Sequence, residues 1–307
     1  MINKVFYFFK IILNCKFVFK KPKKADVILY DEGLVFNYLM KKNFSNISFN
    51  IFHRRFESIN IYVLIMSLIK SKLINFSQIK LNYLKLYFKY VNPKVVITSN
   101  DIDYGFYQIK NKINLDVITC ACQSSFRLKN HFSSFKEKKK NYYADYILAF
   151  SDYFSKIYNN KVSYNKIIST GSISNNFHEK KNISKKYDII FISQFKREHR
   201  KKKIFYQEKK LVEIIENYSE NEGKKFKIAI RPLVYKKSIF DREESKQVYL
   251  QYFNKIKYDD LLSYENNFFN YDYLDYAKII VFIDSTLGLE ALSRGIKILS
   301  FPSYKSF

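Results

Sequence analysis

The segment from Val281 to Phe301, VFIDSTLGLEALSRGIKILSF, constrains the fold of this chain more than any other. Three apolar residues predict a short buried strand, and the turn 284–286 then offers carboxylate and hydroxyl oxygens that cap a helix. Apolar positions within 287–292 predict that helix, Gly295 suits its left-handed end, and a second apolar run follows. Two strands joined by a helix require a crossover connection, which predicts a parallel sheet.

The turn ahead of this helix is suited to bind an anion. The first turn of a helix carries N–H groups without intrahelical partners and the positive end of the helix dipole, so a phosphate is stabilised there. Glu290 lies on the helix five residues beyond Ser285, close enough to reach a sugar attached to that phosphate.

Predicted strands and helices alternate along the rest of the chain. Strands are predicted at 26–30, 47–52, 94–98, 116–120, 146–150, 166–169, 187–193 and 225–231, with helices at 33–40, within 59–90 and at 204–219. The stretch 175–186 is polar, charged and without apolar periodicity, which predicts a linker. The fold class is therefore α/β, with two Rossmann-like domains facing an interdomain cleft. The domains are expected at 1–172 and 187–307, with the boundary between Gly171 and Tyr187.

The composition argues against several classes of protein. The formal charge of +26 attracts anions, but the lysines are spread along the chain, so nucleic acid is not an expected partner. Three cysteines and four histidines show no metal-site spacing, so neither a disulfide framework nor a metal is expected. These features favour a cytoplasmic protein without a cofactor.

The N-terminal stretch from Val5 to Phe19 is rich in Phe and Ile but is interrupted by Lys10 and Lys16. Charges at this spacing leave no apolar run of the roughly 20 residues that a membrane-spanning helix needs. Two alternatives stay open: a basic aromatic helix on the inner face of the cytoplasmic membrane, or a helix packed on its own domain.

Short motifs give the chain a resemblance to known families. DSTLGLEALSRG resembles the phosphate loop of GT-B glycosyltransferases and of the related UDP-N-acetylglucosamine 2-epimerases. Together with KKPKKADVILYDEG, FISQFKR and IRP, it makes the chain similar to bacterial surface-carbohydrate biosynthesis proteins, which implies a GT-B-like fold. The sequence departs from the GT-B pattern in having one glycine after its first strand. It also ends at Phe307 where further helices are expected, so either the chain is truncated or the second domain ends in a reduced form.

The resemblance implies a set of donor-binding residues. Hydroxyl and backbone groups of Ser285 and Thr286 would contact the diphosphate, and Glu290 would bind the ribose. The other implied contacts come from Arg231 and from the loop holding Ser193 and Gln194. Each residue also has a structural interpretation. Ser285 is a suitable helix cap, Glu290 a solvated helix position and Arg231 a partner for a surface carboxylate.

Acidic residues after two predicted strands are candidates for the base that deprotonates an acceptor hydroxyl. Asp31 is the first candidate and Asp101 the second, and each could instead cap a following helix. Gln123 and Arg127 could contact a phosphate, or serve only to hold their loop. Asp101 and Asp103 have the spacing of a metal-binding DxD motif, but they lie in the acceptor half, so metal is expected to be unnecessary.

These inferences favour a glycosyltransferase that moves a sugar from a nucleotide-sugar donor onto a surface polysaccharide or a polyprenyl-linked glycan. Two other enzymes fit the same fold: a transferase of polyol phosphate from a CDP donor, and a sugar-nucleotide epimerase. A non-catalytic nucleic-acid-binding protein is the alternative from another class. Fold alone does not decide among reactions.

Overall fold

The computed structural model describes thirteen ranges of the chain, which are residues 15–31, 40–54, 58–71, 76–114, 116–127, 129–135, 139–195, 203–230, 235–236, 239–240, 242–253, 256–262 and 271–301. The chain divides into two compact units, Met1–Phe177 (unit 1) and His178–Phe307 (unit 2). This division falls within the interval in which the sequence predicts the domain boundary.

Unit 1 is built on a six-stranded sheet. Its strands are β2 (Val27–Tyr30), β3 (Phe49–Phe52), β5 (Val95–Thr98), β6 (Ile118–Cys122), β7 (Tyr143–Ala149) and β8 (Ser163–Ser169). They lie in the order β3-β2-β5-β6-β7-β8, and every neighbouring pair is parallel. The chain adds β3 on one side of β2 and then β5 on the other side. The sheet therefore has a switch point between β2 and β5, where ligands of α/β proteins commonly bind.

A second, two-stranded sheet of unit 1 was not predicted. Lys16–Val18 (β1) pairs in parallel with Ser58–Asn60 (β4). The expectation of a helix over 5–19 is therefore wrong for residues 16–18, and residues 5–14 lie outside the described part of the chain. The strand pairing takes precedence over local helix propensity because it satisfies the backbone hydrogen bonds of both segments.

The helices of unit 1 follow the predicted alternation. They are α1 (Ile61–Lys70), α2 (Phe76–Val91), α3 (Tyr104–Tyr107), α4 (Ile109–Ile113), α5 (Asp152–Asn159) and α6 (Ile173–Asn176), with 3₁₀ turns at Lys129–Phe132 and Lys139–Asn141. The stretch 59–90 thus holds two helices, while the helix predicted at 33–40 falls almost wholly outside the described residues. Large aromatic side chains such as Phe88, Phe106 and Tyr158 are fully buried in the core.

Unit 2 contains a five-stranded parallel sheet. Its strands are β9 (Tyr187–Ile192), β10 (Phe226–Ala229), β13 (Leu261–Leu262), β14 (Ala277–Phe282) and β15 (Lys297–Ser300). Their order is β13-β10-β9-β14-β15, so the chain moves outward on one side of β9 and then returns to the other. This is the order of five strands of a dinucleotide-binding Rossmann sheet, with its switch point between β9 and β14. A separate antiparallel pair joins β11 (Tyr235–Lys236) to β12 (Ile239–Phe240).

Helices cover both faces of this sheet. They are α7 (Lys203–Asn221), α8 (Arg242–Tyr252), α9 (Tyr271–Tyr276) and α10 (Thr286–Ser293), with a 3₁₀ turn at Tyr258–Asp260. Phe191 and Val281 enter one apolar cluster, whereas Ile190, Ile280 and Phe282 enter another. Since successive side chains of a strand point to opposite faces, both faces are buried, which explains why these strands are continuously apolar.

The segment predicted as a linker is anchored to unit 2. The Arg294 guanidinium forms two hydrogen bonds with the Asp275 carboxylate, at 3.0 and 2.6 Å, and both side chains are buried. Arg294 also donates to the carbonyl oxygens of His178 and Glu179, and the N–H of Lys181 donates to Asp275. This ion pair therefore orders the start of unit 2.

The structure confirms the predicted fold class of two Rossmann-like α/β units. Within the described ranges, no helix is both long enough and apolar enough to cross a membrane.

Candidate functional site

The described residues that were predicted to bind the donor lie in two segments that start at the switch point of unit 2. β9 and β14 are parallel neighbours, with Ile192 opposite Phe282. The loops that leave their carboxyl ends therefore start side by side, one with Ser193 and Gln194 and the other with the turn 283–285. Residues about 90 positions apart in the sequence thus share one sheet edge, as the prediction of a phosphate site requires.

Ser285 begins helix α10. Its backbone is extended, with φ −117° and ψ 126°, and its hydroxyl accepts a 3.4 Å hydrogen bond from the N–H of Gly288. The residue is therefore the N-cap, as its structural interpretation proposed, and this role places the first turn of α10 at the switch point. A cap and an anion site are compatible, because a capped helix start still presents its dipole and its first N–H groups.

A glycine in the first turn of α10 allows that helix to pack closely on the sheet. A Cβ atom at Gly288 would lie 2.3 Å from the nearest ring atoms of Phe282, the last residue of β14. Any larger side chain would push the helix away from the strand. Gly288 therefore sets the distance between the helix start and the strand end.

Glu208 is a buried partner that the sequence did not reveal. This α7 carboxylate accepts a hydrogen bond from the Ser193 hydroxyl and another, at 3.1 Å, from the N–H of Gln194. The Ser193 oxygen in turn accepts from the N–H of Phe195 at 3.1 Å. Burial raises the pKa of Glu208 to about 7, although the hydrogen bonds from Ser193 and Gln194 oppose this shift.

These contacts separate the roles of the two loop residues. Ser193 is buried and its hydroxyl is engaged inside unit 2, whereas the Gln194 side chain is half-exposed. Ser193 therefore orients the loop, and Gln194 is the better placed of the two to reach a ligand. The contact of each residue with a donor stays a prediction.

Glu290 is buried, which excludes the interpretation that it is only a solvated helix position. It accepts a 2.9 Å hydrogen bond from the Tyr271 hydroxyl. The Tyr271 ring stacks on His178, with centroids 4.5 Å apart and planes at 17°. The carboxylate is therefore held in one orientation, and its contact with a ribose stays a prediction.

Thr286, which was predicted within the capping turn, is the first residue of α10. Arg231 lies outside the described part of the chain. The contacts of both residues with a diphosphate stay predictions.

Asp31 and Asp101 both follow strands that flank the switch point of unit 1. Asp31 has a left-handed backbone, with φ 54°, and its N–H donates to the carbonyl of Phe52 at 2.8 Å. The Asn100 amide lies 3.5 Å from the Asp31 carboxylate. Asp31 is half-buried, so a hydroxyl group can approach it.

Asp101 has a different environment. Its side chain is fully buried, and it accepts hydrogen bonds from both Nε and Nη2 of Arg127 and from the Tyr158 hydroxyl. The N–H of Ser124 donates to it at 3.2 Å. This network ties three segments of unit 1 together, so the geometry favours Asp31 over Asp101 as a proton acceptor.

Two polar residues of the loop after β6, Gln123 and Arg127, hold that loop in place, which was the alternative to a phosphate contact. Gln123 donates to the carbonyl of Ser125 and accepts from the N–H of Phe150, and Arg127 pairs with Asp101. Asp103 is used differently. It caps α3 through the N–H of Gly105 and pairs with Arg54. Among the described residues, no group of three or more His, Cys, Asp or Glu side chains could hold a metal ion.

Comparison with known protein families shows which family this chain belongs to. Residues 120–307, more than half of the chain, match the model of a family described as "putative O-antigen biosynthesis protein". The chain belongs to this family. The match confirms the resemblance to surface-carbohydrate biosynthesis proteins that the motifs indicated. No curated protein matches the sequence.

Several solved structures are similar to the chain at low identity. The UDP-GlcNAc 2-epimerase of Methanocaldococcus jannaschii is 14% identical over 89% of this chain and 82% of its own, with a TM-score of 0.49. A glycosyltransferase of Rickettsia africae is 12% identical over 89% and 70%, with a TM-score of 0.43. The heptosyltransferase WaaC of E. coli is 10% identical over 89% and 86%, with a TM-score of 0.39. Similarities of this size say nothing about which reaction this family member catalyses.

Proposed function

We propose that the chain is a glycosyltransferase of surface-polysaccharide synthesis. It would transfer a sugar from a nucleotide-sugar donor to a surface polysaccharide or to a lipid-linked glycan. The observation that carries this proposal is the start of α10 at the switch point of unit 2, capped by Ser285 and next to the Ser193–Gln194 loop. Membership of the O-antigen family supplies the biological context.

The donor would bind with its diphosphate at the first turn of α10. As the bond between sugar and diphosphate breaks, negative charge grows on the leaving oxygen. Preorganised N–H groups and a helix dipole stabilise such charge without reorganisation, which makes this the largest expected contribution to catalysis. Thr286, Gln194 and Arg231 are the proposed further contacts, and Glu290 would orient the ribose.

The acceptor hydroxyl would lose its proton to Asp31. A carboxylate at the switch point of unit 1 can accept this proton as the hydroxyl oxygen attacks the sugar, which suits an inverting transfer. Asp101 remains the second candidate. Because fixed groups of the chain would supply the positive field, the proposed reaction requires no metal and should proceed in EDTA.

Attachment to the inner face of the cytoplasmic membrane is a further part of this proposal. Phe19, Ile65 and Ile69 are exposed by 72%, 52% and 66%, on or beside the neighbouring elements β1 and α1. Exposed lysines follow Phe19 directly, at positions 20, 21, 23 and 24. Exposed apolar side chains next to lysines suit an anionic bilayer, where each lysine contributes about 1 kcal/mol of binding free energy.

Sedimentation with vesicles that contain phosphatidylglycerol tests this attachment. Equal binding to neutral vesicles would contradict it.

Thermal-shift titrations with UDP, GDP, CDP, CMP and their sugar conjugates test the donor site. A ligand that binds the native state raises the melting midpoint by mass action. CDP-polyol binding would favour the polyol-phosphate alternative. Conversion of the sugar nucleotide without an acceptor would favour an epimerase.

A pair of matched substitutions makes the test specific for the turn. Ser285→Ala removes a cap at the proposed site, and Ser172→Ala removes the same kind of cap from α6 in unit 1. Loss of a hydrogen bond to a charged ligand costs about 1–3 kcal/mol, so Ser285→Ala should weaken nucleotide binding roughly 5- to 150-fold. Ser172→Ala should leave binding unchanged. If folded Ser285→Ala binds nucleotide like the parent, the turn is only a helix cap.

A further inference from the structure

Unit 1 contains a pocket that the proposed donor and proton-transfer residues do not use. It has a volume of about 290 Å³ and lies between the small β1–β4 sheet, the edge strand β3 and helix α2. Small-molecule pockets commonly measure about 300–1,000 Å³, so this cavity suits one small ligand rather than a nucleotide sugar.

The rim of the pocket is a lysine segment held in place by two asparagines. The Asn60 amide donates to the carbonyl of Lys20 at 2.8 Å, and the Asn50 amide donates to the carbonyl of Lys23 at 2.6 Å. These bonds hold one end of the segment 20–23 beside β4 and the other end beside β3. Lys20, Lys21 and Lys23 all line the pocket. The positive rim is thus a positioned feature of the fold.

The floor of the pocket is aromatic. Tyr83 and Tyr87 lie on α2 with ring centroids 6.3 Å apart and planes at 24°. The Tyr83 oxygen accepts from the N–H of Asn60 at 2.9 Å, and the Tyr87 hydroxyl donates to the carbonyl of Ile51 at 3.0 Å. Burial raises the pKa of both phenols, so they stay protonated at neutral pH. Tyr83 therefore keeps a proton that it can donate.

Lysines, and no acidic residues, are found among the described residues that line the pocket. Ser58, His53 and the two asparagines supply further polar groups. A cationic rim selects an anion, while tyrosine rings offer apolar faces to the C–H groups of a sugar ring. Phosphate alone would use only the first of these features.

We propose that this pocket binds a small phosphate-bearing saccharide, with the phosphate at Lys20 and Lys23 and the sugar ring against Tyr83. We assign this saccharide the role of the acceptor, and that role rests on the proposed glycosyltransferase function. The binding of the saccharide to the pocket does not depend on that function.

Calorimetric titration of the full chain with glucose 1-phosphate and with inorganic phosphate tests the proposal. The double variant Lys20→Gln, Lys23→Gln should bind both ligands at least tenfold more weakly. Tyr83→Leu should weaken the binding of glucose 1-phosphate at least fivefold but leave inorganic phosphate nearly unchanged. Lys166→Gln, an exposed position on β8 at the far edge of the sheet, is the control for a lost charge and should bind like the parent.

The results also separate this site from its alternatives. Equal binding by the parent and the lysine double variant would overturn the proposal. Lysine-dependent binding to phosphatidylglycerol vesicles without binding of glucose 1-phosphate would also overturn it, because the pocket would then serve a lipid headgroup. Titration of the parent with UDP, GDP, CDP and CMP reports on unit 2. A parent that binds a nucleotide but not glucose 1-phosphate refutes the pocket alone, and a parent that binds glucose 1-phosphate but none of these nucleotides refutes the donor site alone.

Discussion

Glu208 should make unit 2 less stable as the pH rises. Its carboxylate is buried beside Ser193 and Gln194, and desolvation raises its pKa from 4.5 to about 7. The folded protein therefore holds this proton more tightly than the unfolded chain does. The resulting stabilisation is fully present below the unfolded value of 4.5 and is lost as the pH rises through about 7.

The magnitude follows from the size of the pKa shift. One unit of pKa corresponds to about 1.4 kcal/mol, so a shift from 4.5 to about 7 corresponds to roughly 3 kcal/mol. Most of this change, about 2–3 kcal/mol, falls between about pH 5 and about pH 8. Glu208→Gln keeps the shape of the side chain but cannot titrate, so it should lack this dependence.

Urea unfolding followed by circular dichroism at about pH 5, 6, 7 and 8 measures the effect. The free energy of unfolding of the parent, minus that of Glu208→Gln, should fall by about 2–3 kcal/mol across this range. Glu220→Gln, at an exposed position on the same helix, should show no such trend. A difference between parent and Glu208→Gln that stays constant with pH would refute the reasoning.

Four further substitutions test the packing and the predicted roles. Gly288→Ala should lower the free energy of unfolding by about 1–3 kcal/mol because its Cβ meets the Phe282 ring. Calorimetric melting of Gly288→Ala with and without Phe282→Leu measures this, and the smaller Leu side chain should relieve part of the cost. Glu290→Ala should weaken nucleoside diphosphate binding in titration calorimetry and leave pyrophosphate binding unchanged; equal weakening of both would contradict a ribose contact. Asp101→Asn should cost about 3–5 kcal/mol in urea unfolding because it breaks a buried ion pair. Asp31→Asn should melt like the parent, since Asn tolerates a left-handed backbone, but should lose transfer activity; activity retained by Asp31→Asn would exclude it as the base.

Predictions from single segments were largely accurate where the signal was local. The apolar strands around Ile190 and Val281, the capped turn at Ser285 and the left-handed Gly295, with φ 74°, could all be inferred from neighbouring residues. Short strands were missed. Two- and three-residue strands such as Lys16–Val18 and Leu261–Leu262 contain too few positions for an apolar period to be visible, and their pairing with distant segments determines them.

The amino-acid sequence by itself determined the α/β class, the mid-chain break and the capped turn at Ser285, because the pattern of each is visible within one segment. Only the tertiary structure decided which polar residues meet. Glu208 reaches Ser193 from 15 residues away, Tyr271 reaches Glu290 from 19, and Arg127 reaches Asp101 from 26. These partners are brought together by strand order and helix packing. The same acidic residue type thus becomes a buried ion-pair partner at Asp101 and a half-exposed carboxylate at Asp31. Burial and long-range pairing set the chemistry of such groups, and neither is encoded in a residue's immediate neighbours.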